Sequence, residues 1–311
     1  MKQFVVGILA IGFLASCNQF QKTKSGMPYK ITHGDKKQAL KHGQFLKINI
    51  EFTVKKGNKD SALNSSYGHI PAYFMYDTAQ LGRYNVTEIF PKCFIGDKIE
   101  FKLSIDSLAK MGMIQYNDVF KKGNFINGRT EIIASFPTEA AMKADYDKES
   151  EKEKQKEVIL IEEYLKKKGI VAQKDPSGIF VVVKESGEPV KADTGNTASV
   201  FYKGYSIIGK KDGQTFDTNM DTARNPKKEP YPVKVGEPGV INGWAHGLKY
   251  FGKGGKGTIY IPSILAYGQQ GNPPVIGPYE CMAFDMEIAD VKPTPKPAPA
   301  PTPAPTVTPK K

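Results

Sequence analysis

The sequence predicts an α+β protein in which two domains built on antiparallel sheets are joined by one long helix. Three observations lead to this fold class. At 311 residues the chain is long enough for two hydrophobic cores. Short runs in which apolar and polar residues alternate, as in half-buried strands, occur in both halves of the chain. Between the halves, residues 137–169 have the composition and end signals of a helix.

The first 24 residues indicate the compartment. Lys2 supplies a positive charge, residues 4–13 form an apolar run too short to span a bilayer, and residues 14–17 read LASC. This ending resembles a bacterial lipobox, so residues 1–16 are interpreted as a signal peptide and Cys17 as the lipid attachment site. An ordinary signal peptide with a chance cysteine stays open as the alternative. Residues 17–24 form a polar tether. The residue after Cys17 is Asn18 and not the aspartate that is associated with inner-membrane retention in some bacteria, which favours an anchor in the outer membrane facing the periplasm.

The first domain is predicted over residues 25–136 as an antiparallel sheet. Glycines and asparagines separate its apolar runs, and the run LKINIEF alternates strictly. The predicted strands are 29–32, 45–54, 98–105 and 126–136.

Helical composition takes over in the linker, residues 137–169. Pro137 and Thr138 are a plausible helix start, and Gly169 is a favourable stop. Residues 145–157 have almost no apolar face, so this charged run is expected to be solvated. Residues 158–165, VILIEEYL, do have an apolar face, and we expect them to dock on a core.

The second domain is predicted over residues 170–292, with one short helix at 243–251. It contains the only tryptophan of the chain, Trp244. Its predicted strands are 179–184, 198–204, 232–235, 257–261 and 282–291. Residues 293–311 are rich in proline and cannot form a packed core, so they are expected to be disordered.

The composition argues against several function classes. The net charge of +12 is spread along the chain and no basic patch is interleaved with aromatic residues, so no nucleic-acid partner is expected. The four histidines form no cluster with cysteine, which argues against a zinc site. Besides Cys17, only Cys93 and Cys281 remain. Each lies in an apolar run, which favours two inert thiols over a disulfide between the domains.

Seven blocks of the second domain occur in the order and approximate spacing of a known family. They are FYKG (201–204), DGQTFD (212–217), YPVKVG (231–236), VINGW (240–244), GLKYFGKGGK (247–256), IYIPSILAYG (259–268) and MAFDMEI (282–288). Through these blocks, residues 177–292 resemble an FKBP-type peptidyl-prolyl cis-trans isomerase domain. The resemblance implies an antiparallel sheet wrapped on a short helix, isomerase activity on X-Pro bonds, and no cofactor or metal.

The resemblance also implies a site. The residues that it marks as catalytic are Tyr202, Phe216, Asp217, Tyr231, Val240, Ile241, Trp244, Tyr267 and Phe284. Trp244 would form the floor under the proline ring, and aromatic and aliphatic side chains would form the walls. Tyr267 would donate its hydroxyl, and Ile241 its backbone N–H, to substrate carbonyls, while Asp217 would polarise the site. Val275 and Ile276 would lie on a flap over the substrate. The sequence departs from the family's pattern at Thr222, Gly239 and Asn272.

The two predicted β domains also correspond to each other. With an offset of 152 residues Ser25–Gly26 falls on Ser177–Gly178, and with an offset of 158 Phe101 falls on Ile259. This predicts a diverged duplication in which the first domain is also FKBP-like. There Ile50 replaces Tyr202 and Val86 replaces Trp244, so we expect the first domain to lack isomerase activity.

These inferences predict a lipid-anchored isomerase of the cell envelope. It would act on X-Pro bonds of envelope or secreted proteins, and its partners would be proline-containing polypeptides and a membrane. Two alternatives stay open. The protein could be a non-catalytic chaperone that binds proline-containing segments, or a structural envelope lipoprotein.

Overall fold

The computed structural model describes residues 19–35, 37–57 and 59–294. The predicted signal peptide, Cys17 and residues 295–311 of the tail lie outside the described residues. The chain divides into two compact units, residues 1–151 and 152–311. Each unit contains an antiparallel sheet with helices, and the α+β class is confirmed. In the described ranges, no helix is both long and apolar enough to span a membrane.

The first unit is built on seven strands. They are β1 (Gln21–Lys22), β2 (Pro28–Thr32), β3 (Phe45–Lys56), β4 (Lys59–Ser65), β5 (Ala72–Met75), β6 (Lys98–Ser104) and β7 (Phe125–Phe136). Their order in the sheet is β1-β2-β6-β7-β3-β4, and β5 also pairs with β3. Short 3-10 turns at Val86–Glu88 and Phe90–Lys92 and the helix α1 (Ile105–Lys110) complete this unit.

Alternation along β6 shows how the sequence forms this sheet. Ile99 and Phe101 are buried in the core, while Lys98 and Glu100 between them are exposed. The strand predicted for residues 98–105 ends one residue early, because the hydroxyl of Ser104 accepts the N–H of Ser107 at 3.3 Å and caps α1. Strand β4 was not predicted, because it is an exposed, polar strand without an apolar alternation.

The long helix α2 spans Glu139–Lys168. The hydroxyl of Thr138 accepts the N–H of Ala141 at 3.2 Å, and Gly169 follows the last turn with a φ of 67°. Positive φ is unfavourable for residues with a Cβ, so glycine is well suited to this helix end. The apolar residues Val158, Ile161 and Leu165 are buried on this helix.

The expectation that the charged run 145–157 is solvated is wrong for several of its residues. Asp145 accepts a hydrogen bond at 2.7 Å from the ammonium of Lys47, whose side chain is largely buried. Glu153 and Glu157 are themselves buried, with 4% and 3% exposure. Tertiary packing covers these carboxylates, and the local charge pattern carries no sign of it.

The second unit also contains seven strands. They are β8 (Gln173–Lys174), β9 (Phe180–Glu185), β10 (Thr197–Ser206), β11 (Thr215–Thr218), β12 (Tyr231–Lys234), β13 (Lys256–Ile261) and β14 (Met282–Lys292). The order in the sheet is β8-β9-β13-β14-β10-β11, and β12 also pairs with β10. The short helix predicted at 243–251 is α3 (Asn242–Leu248).

The two sheets have the same topology, strand for strand. Replacing β1 to β7 by β8 to β14 converts the first strand order into the second. The register agrees as well, because Tyr29 pairs with Phe101 in the first sheet, and Val181 pairs with Ile259 at the positions 152 and 158 residues later. Both sheets contain a register shift at the same place, directly before Ile48 in β3 and before Val200 in β10.

Candidate functional site

One cavity of about 510 Å³ opens in the second unit. Its volume lies in the range of small-molecule and peptide side-chain pockets. The residues that line it are Tyr202, Phe216, Asp217, Tyr231, Gly239, Val240, Ile241, Asn242, Trp244, Ala266, Tyr267 and Phe284. All nine residues that the sequence marked as catalytic are in this set, so the fold brings them together around one space.

Trp244 is placed by the glycines of α3. A Cβ on Gly243 would lie 2.4 Å from the side chain of Ile261, and one on Gly247 would lie 2.3 Å from the side chain of Ile259. The glycines therefore allow α3 to lie directly against β13. Trp244 follows Gly243 on this helix and is only 4% exposed. Its indole Nε1 is buried without a hydrogen-bond partner in the described part of the chain.

Two aromatic side chains pack against the indole of Trp244, and a third packs against one of these two. The ring centroid of Trp244 lies 5.1 Å from that of Tyr202 and 5.3 Å from that of Phe284, both in edge-to-face geometry. Phe216 meets Phe284 in the same geometry at 5.6 Å. Gly204 makes room for this contact, because a Cβ there would lie within 2.8 Å of both phenyl rings. The result is a rigid apolar corner at one side of the cavity.

The polar groups of the cavity include tyrosine hydroxyls, which can donate hydrogen bonds. The hydroxyl of Tyr202 donates to Asp217 at 2.7 Å. Burial, and then this hydrogen bond, raise the pKa of Tyr202 above its ordinary value. The pKa of Tyr267 is also raised, by burial and by the charge of Asp217. Both hydroxyls therefore keep their protons at neutral pH.

Two donors of the cavity are unused within the described residues. The hydroxyl of Tyr267 makes no hydrogen bond there, and neither does the backbone N–H of Ile241, which precedes α3. Together they offer two hydrogen bonds to carbonyl groups of a bound peptide.

The two residues predicted for the flap are placed differently from the other nine. Val275 is 49% exposed, and Ile276 is 3% exposed and packs in the core cluster that contains Trp244. Neither lines the cavity. Sequence reasoning also missed three lining residues, Gly239, Asn242 and Ala266. Each of the three is adjacent in the sequence to a predicted site residue, and this adjacency could have indicated that they line the cavity.

The corresponding region of the first unit has another lining. Val86, at the position of Trp244, is 6% exposed and packs in the core, and Ile50, at the position of Tyr202, is half-buried. The pair Gly204 and Phe284 of β10 and β14 corresponds to Phe52 and Gly128 of β3 and β7, so aromatic ring and glycine have changed strands. An aromatic floor of the kind that Trp244 forms is therefore missing from this position.

Comparison with known proteins identifies the relatives of this chain. The family model of FKBP-type peptidyl-prolyl cis-trans isomerases matches residues 188–289. The FKBP-type peptidyl-prolyl cis-trans isomerase FkpA of Escherichia coli K12 is 31% identical over 218 residues, which cover 70% of this chain and 74% of FkpA. Peptidyl-prolyl cis-trans isomerase FKBP15-2 of Arabidopsis thaliana is 33% identical over 138 residues, covering 44% of this chain and 77% of that protein. The crystal structure of FkpA from Escherichia coli matches with a TM-score of 0.37 and 34% identity, covering 50% of this chain and 69% of that one.

Proposed function

The chain belongs to the FKBP-type peptidyl-prolyl cis-trans isomerases, and on that premise we propose that the cavity around Trp244 is where it isomerises X-Pro bonds. The observation that carries this proposal is the convergence of nine side chains, predicted from separate blocks of sequence, on one cavity. The proposed catalytic domain comprises residues 170–292.

The reaction asks for a shaped, dry pocket more than for acid–base chemistry. An X-Pro bond crosses a barrier of about 18–20 kcal/mol and takes tens to hundreds of seconds unaided. In the transition state the amide is twisted and has lost resonance, so its carbonyl is less polar than in the ground state. A pocket that binds the twisted form better than the planar one lowers the barrier, by about 1.4 kcal/mol for each tenfold in rate.

Each part of the cavity has a place in this mechanism. The proline ring lies on the indole of Trp244, with Tyr202, Phe216, Tyr231, Val240 and Phe284 around it. Tyr267 donates its hydroxyl to a substrate carbonyl, and Ile241 donates its backbone N–H to another. Asp217, held by the hydroxyl of Tyr202, sets the electrostatic potential beside the twisting amide. Val275, whose side chain is 49% exposed, contacts the substrate as part of a flap.

An isomerisation assay with a short X-Pro peptide tests the site in the full chain. We expect Trp244→Ala and Tyr267→Phe each to lower kcat/KM by about tenfold or more, since the first removes the surface under the proline ring and the second removes a hydrogen bond to a substrate carbonyl. Val183→Ala, an exposed change on β9, is the matched control. Unchanged rates in both site variants would place catalysis elsewhere. Peptide binding without any rate above background would favour the chaperone alternative.

The first unit is proposed to be a diverged FKBP-like scaffold, residues 25–136, without isomerase activity. The shared strand order, register and register shift support a common origin of the two units. Because Val86 and Ile50 stand where Trp244 and Tyr202 would be, this unit has no floor for proline. The first unit should therefore supply no activity when Trp244→Ala damages the site of the second unit. A variant that retains half or more of the wild-type activity would contradict the proposal.

The protein is proposed to be anchored to the cell envelope through a lipid on Cys17, on the outer membrane facing the periplasm. The support is the LASC sequence that ends at this cysteine. Its substrates would then be envelope or secreted proteins. Growth with a labelled fatty acid tests the anchor: label on the wild type and none on Cys17→Ser is expected. An unlabelled wild-type protein that remains in the soluble fraction would refute it.

A further inference from the structure

We propose that Glu157, on the second half of α2, is a positioning residue for isomerisation, because it holds the turn that carries Tyr267 into the cavity. The inference rests on the proposed function, since it concerns the same cavity. The proposed effect of Glu157 on Tyr267 is indirect. Glu157 acts through the segment 262–268, which leads from the end of β13 to the tyrosine.

The first contact joins the helix to the start of this turn. Glu157 is only 3% exposed, and its carboxyl group accepts two hydrogen bonds from consecutive residues. One comes from the hydroxyl of Ser263, and the other comes from the backbone N–H of Ile264 at 3.1 Å. Ser263 is also buried, with 1% exposure. Two hydrogen bonds from neighbouring positions fix the direction of the backbone as well as its location.

The second contact joins Ser263 to both sides of Tyr267. The carbonyl of Ser263 accepts the N–H of Ala266 and the N–H of Gly268, each at 2.8 Å. Tyr267 lies between these two donors, so its Cα is held on both sides by one carbonyl. Tyr267 and Trp244 both line the cavity. Holding Ser263 therefore determines where the hydroxyl of Tyr267 is placed.

The helix provides a fixed support for this chain of contacts. Val158, Ile161 and Leu165 pack in one buried cluster with Phe180 and Tyr260 of the sheet. These apolar contacts hold the helix backbone on which Glu157 is mounted. The second half of α2 thus contributes to the geometry of the proposed site. A domain that begins at residue 170 would lack Glu157.

The surroundings of Glu157 make its contact sensitive to pH. Burial raises the pKa of this carboxyl to about 7. The groups around it are Glu153 and Lys156 on its own helix, the turn at Ser263 and Ile264, and Cys281, which directly precedes β14. Because the docked state favours the protonated carboxyl, ionisation shifts the equilibrium away from docking. The proposed reaction has no proton transfer of its own, so a pH dependence of this kind reports the burial of Glu157 against the turn.

The test uses the full chain and measures kcat and KM for a short X-Pro peptide from about pH 5.5 to 8.5. We expect the wild type to lose kcat/KM as the pH rises through about 7. Glu157→Gln keeps the side-chain size and one of the two acceptor oxygens, has no titrating carboxyl, and should give a flat profile. Glu157→Ala and Ser263→Ala should lower kcat about threefold or more with little change in KM, since a displaced Tyr267 affects the transition state most. Glu163→Gln, an exposed change on the same helix, is the matched control and should retain the wild-type profile.

The fluorescence of Trp244, the only tryptophan, gives a second measurement in the same variants. A midpoint near pH 7 in the wild type that disappears in Glu157→Gln supports the proposal. It is overturned if Glu157→Gln keeps the wild-type pH profile, or if folded Glu157→Ala has unchanged kcat. Tyr267→Phe separates the two levels of inference. An unchanged rate in that variant refutes the site itself, whereas a lowered rate beside unaffected Glu157 variants refutes only the positioning role.

Discussion

Replacing Glu157 by Gln is expected to change how the stability of the second unit depends on pH. The folded-state pKa of about 7 stands against an ordinary value of 4.5. A carboxyl with the higher pKa in the folded state binds more protons when folded, so its contribution to the free energy of unfolding is fully present below about pH 4.5 and is lost as the pH rises through about 7. The difference between these two pKa values, at about 1.4 kcal/mol for each pKa unit, corresponds to about 3–4 kcal/mol.

Glutamine cannot ionise, so the variant does not lose this contribution. The free energy of unfolding of Glu157→Gln minus that of the wild type should increase by about 3 kcal/mol as the pH rises from 4.5 to 8. Urea unfolding at a series of pH values measures this difference. The fluorescence of Trp244, the only tryptophan, reports the unfolding of the second unit. Glu163→Gln should show no such trend. A difference that stays within about 1 kcal/mol, or that favours the wild type at high pH, would refute the reasoning.

Three further predictions concern packing, the site and the thiols. Gly243→Ala should destabilise the second unit by roughly 1–3 kcal/mol in urea unfolding and lower kcat/KM, because the new Cβ meets Ile261; unchanged values would mean that α3 has room to move. Tyr202→Phe removes the hydrogen bond to Asp217 and should lower kcat/KM by less than tenfold in the peptide assay; an unaltered rate would show that this contact is not used. Cys93 and Cys281, whose pKa values burial raises to about 12, should not react with an aromatic disulfide reagent at pH 8 in a chain beginning at residue 18 until urea unfolds it, and rapid labelling of the native protein would contradict their burial.

Much of the fold could be predicted from local patterns. Alternation within residues 45–54 identified one long strand with neighbours on both sides in its sheet, and the apolar run 282–291 identified another. The helix ends near Thr138 and Gly169 carried recognisable signals. Edge strands such as β4 were missed, since a strand that buries little on either face needs no apolar alternation.

The candidate site shows the same division. The nine cavity residues were predicted from blocks that resemble a family, and the structure brings them together. For Ile276 the resemblance was less informative, because the side chain packs into the core and does not face the cavity. Whether a side chain on a loop faces a core or a ligand depends on the path of the loop, which local composition does not determine.

By itself the sequence determined the class of fold, the long helix, the internal correspondence of the two β-rich units and the aromatic residues around Trp244. The fold class and the helix follow from periodicity and end signals, which act over a few neighbouring positions. The correspondence follows from comparing the two halves, and the site residues follow from the resemblance to a family. Only the tertiary structure decided that Glu157, in a run that looks solvated, is buried against Ser263. The pKa of a carboxyl depends on the groups that distant segments pack around it, and here the contact joins residues 106 positions apart in the chain.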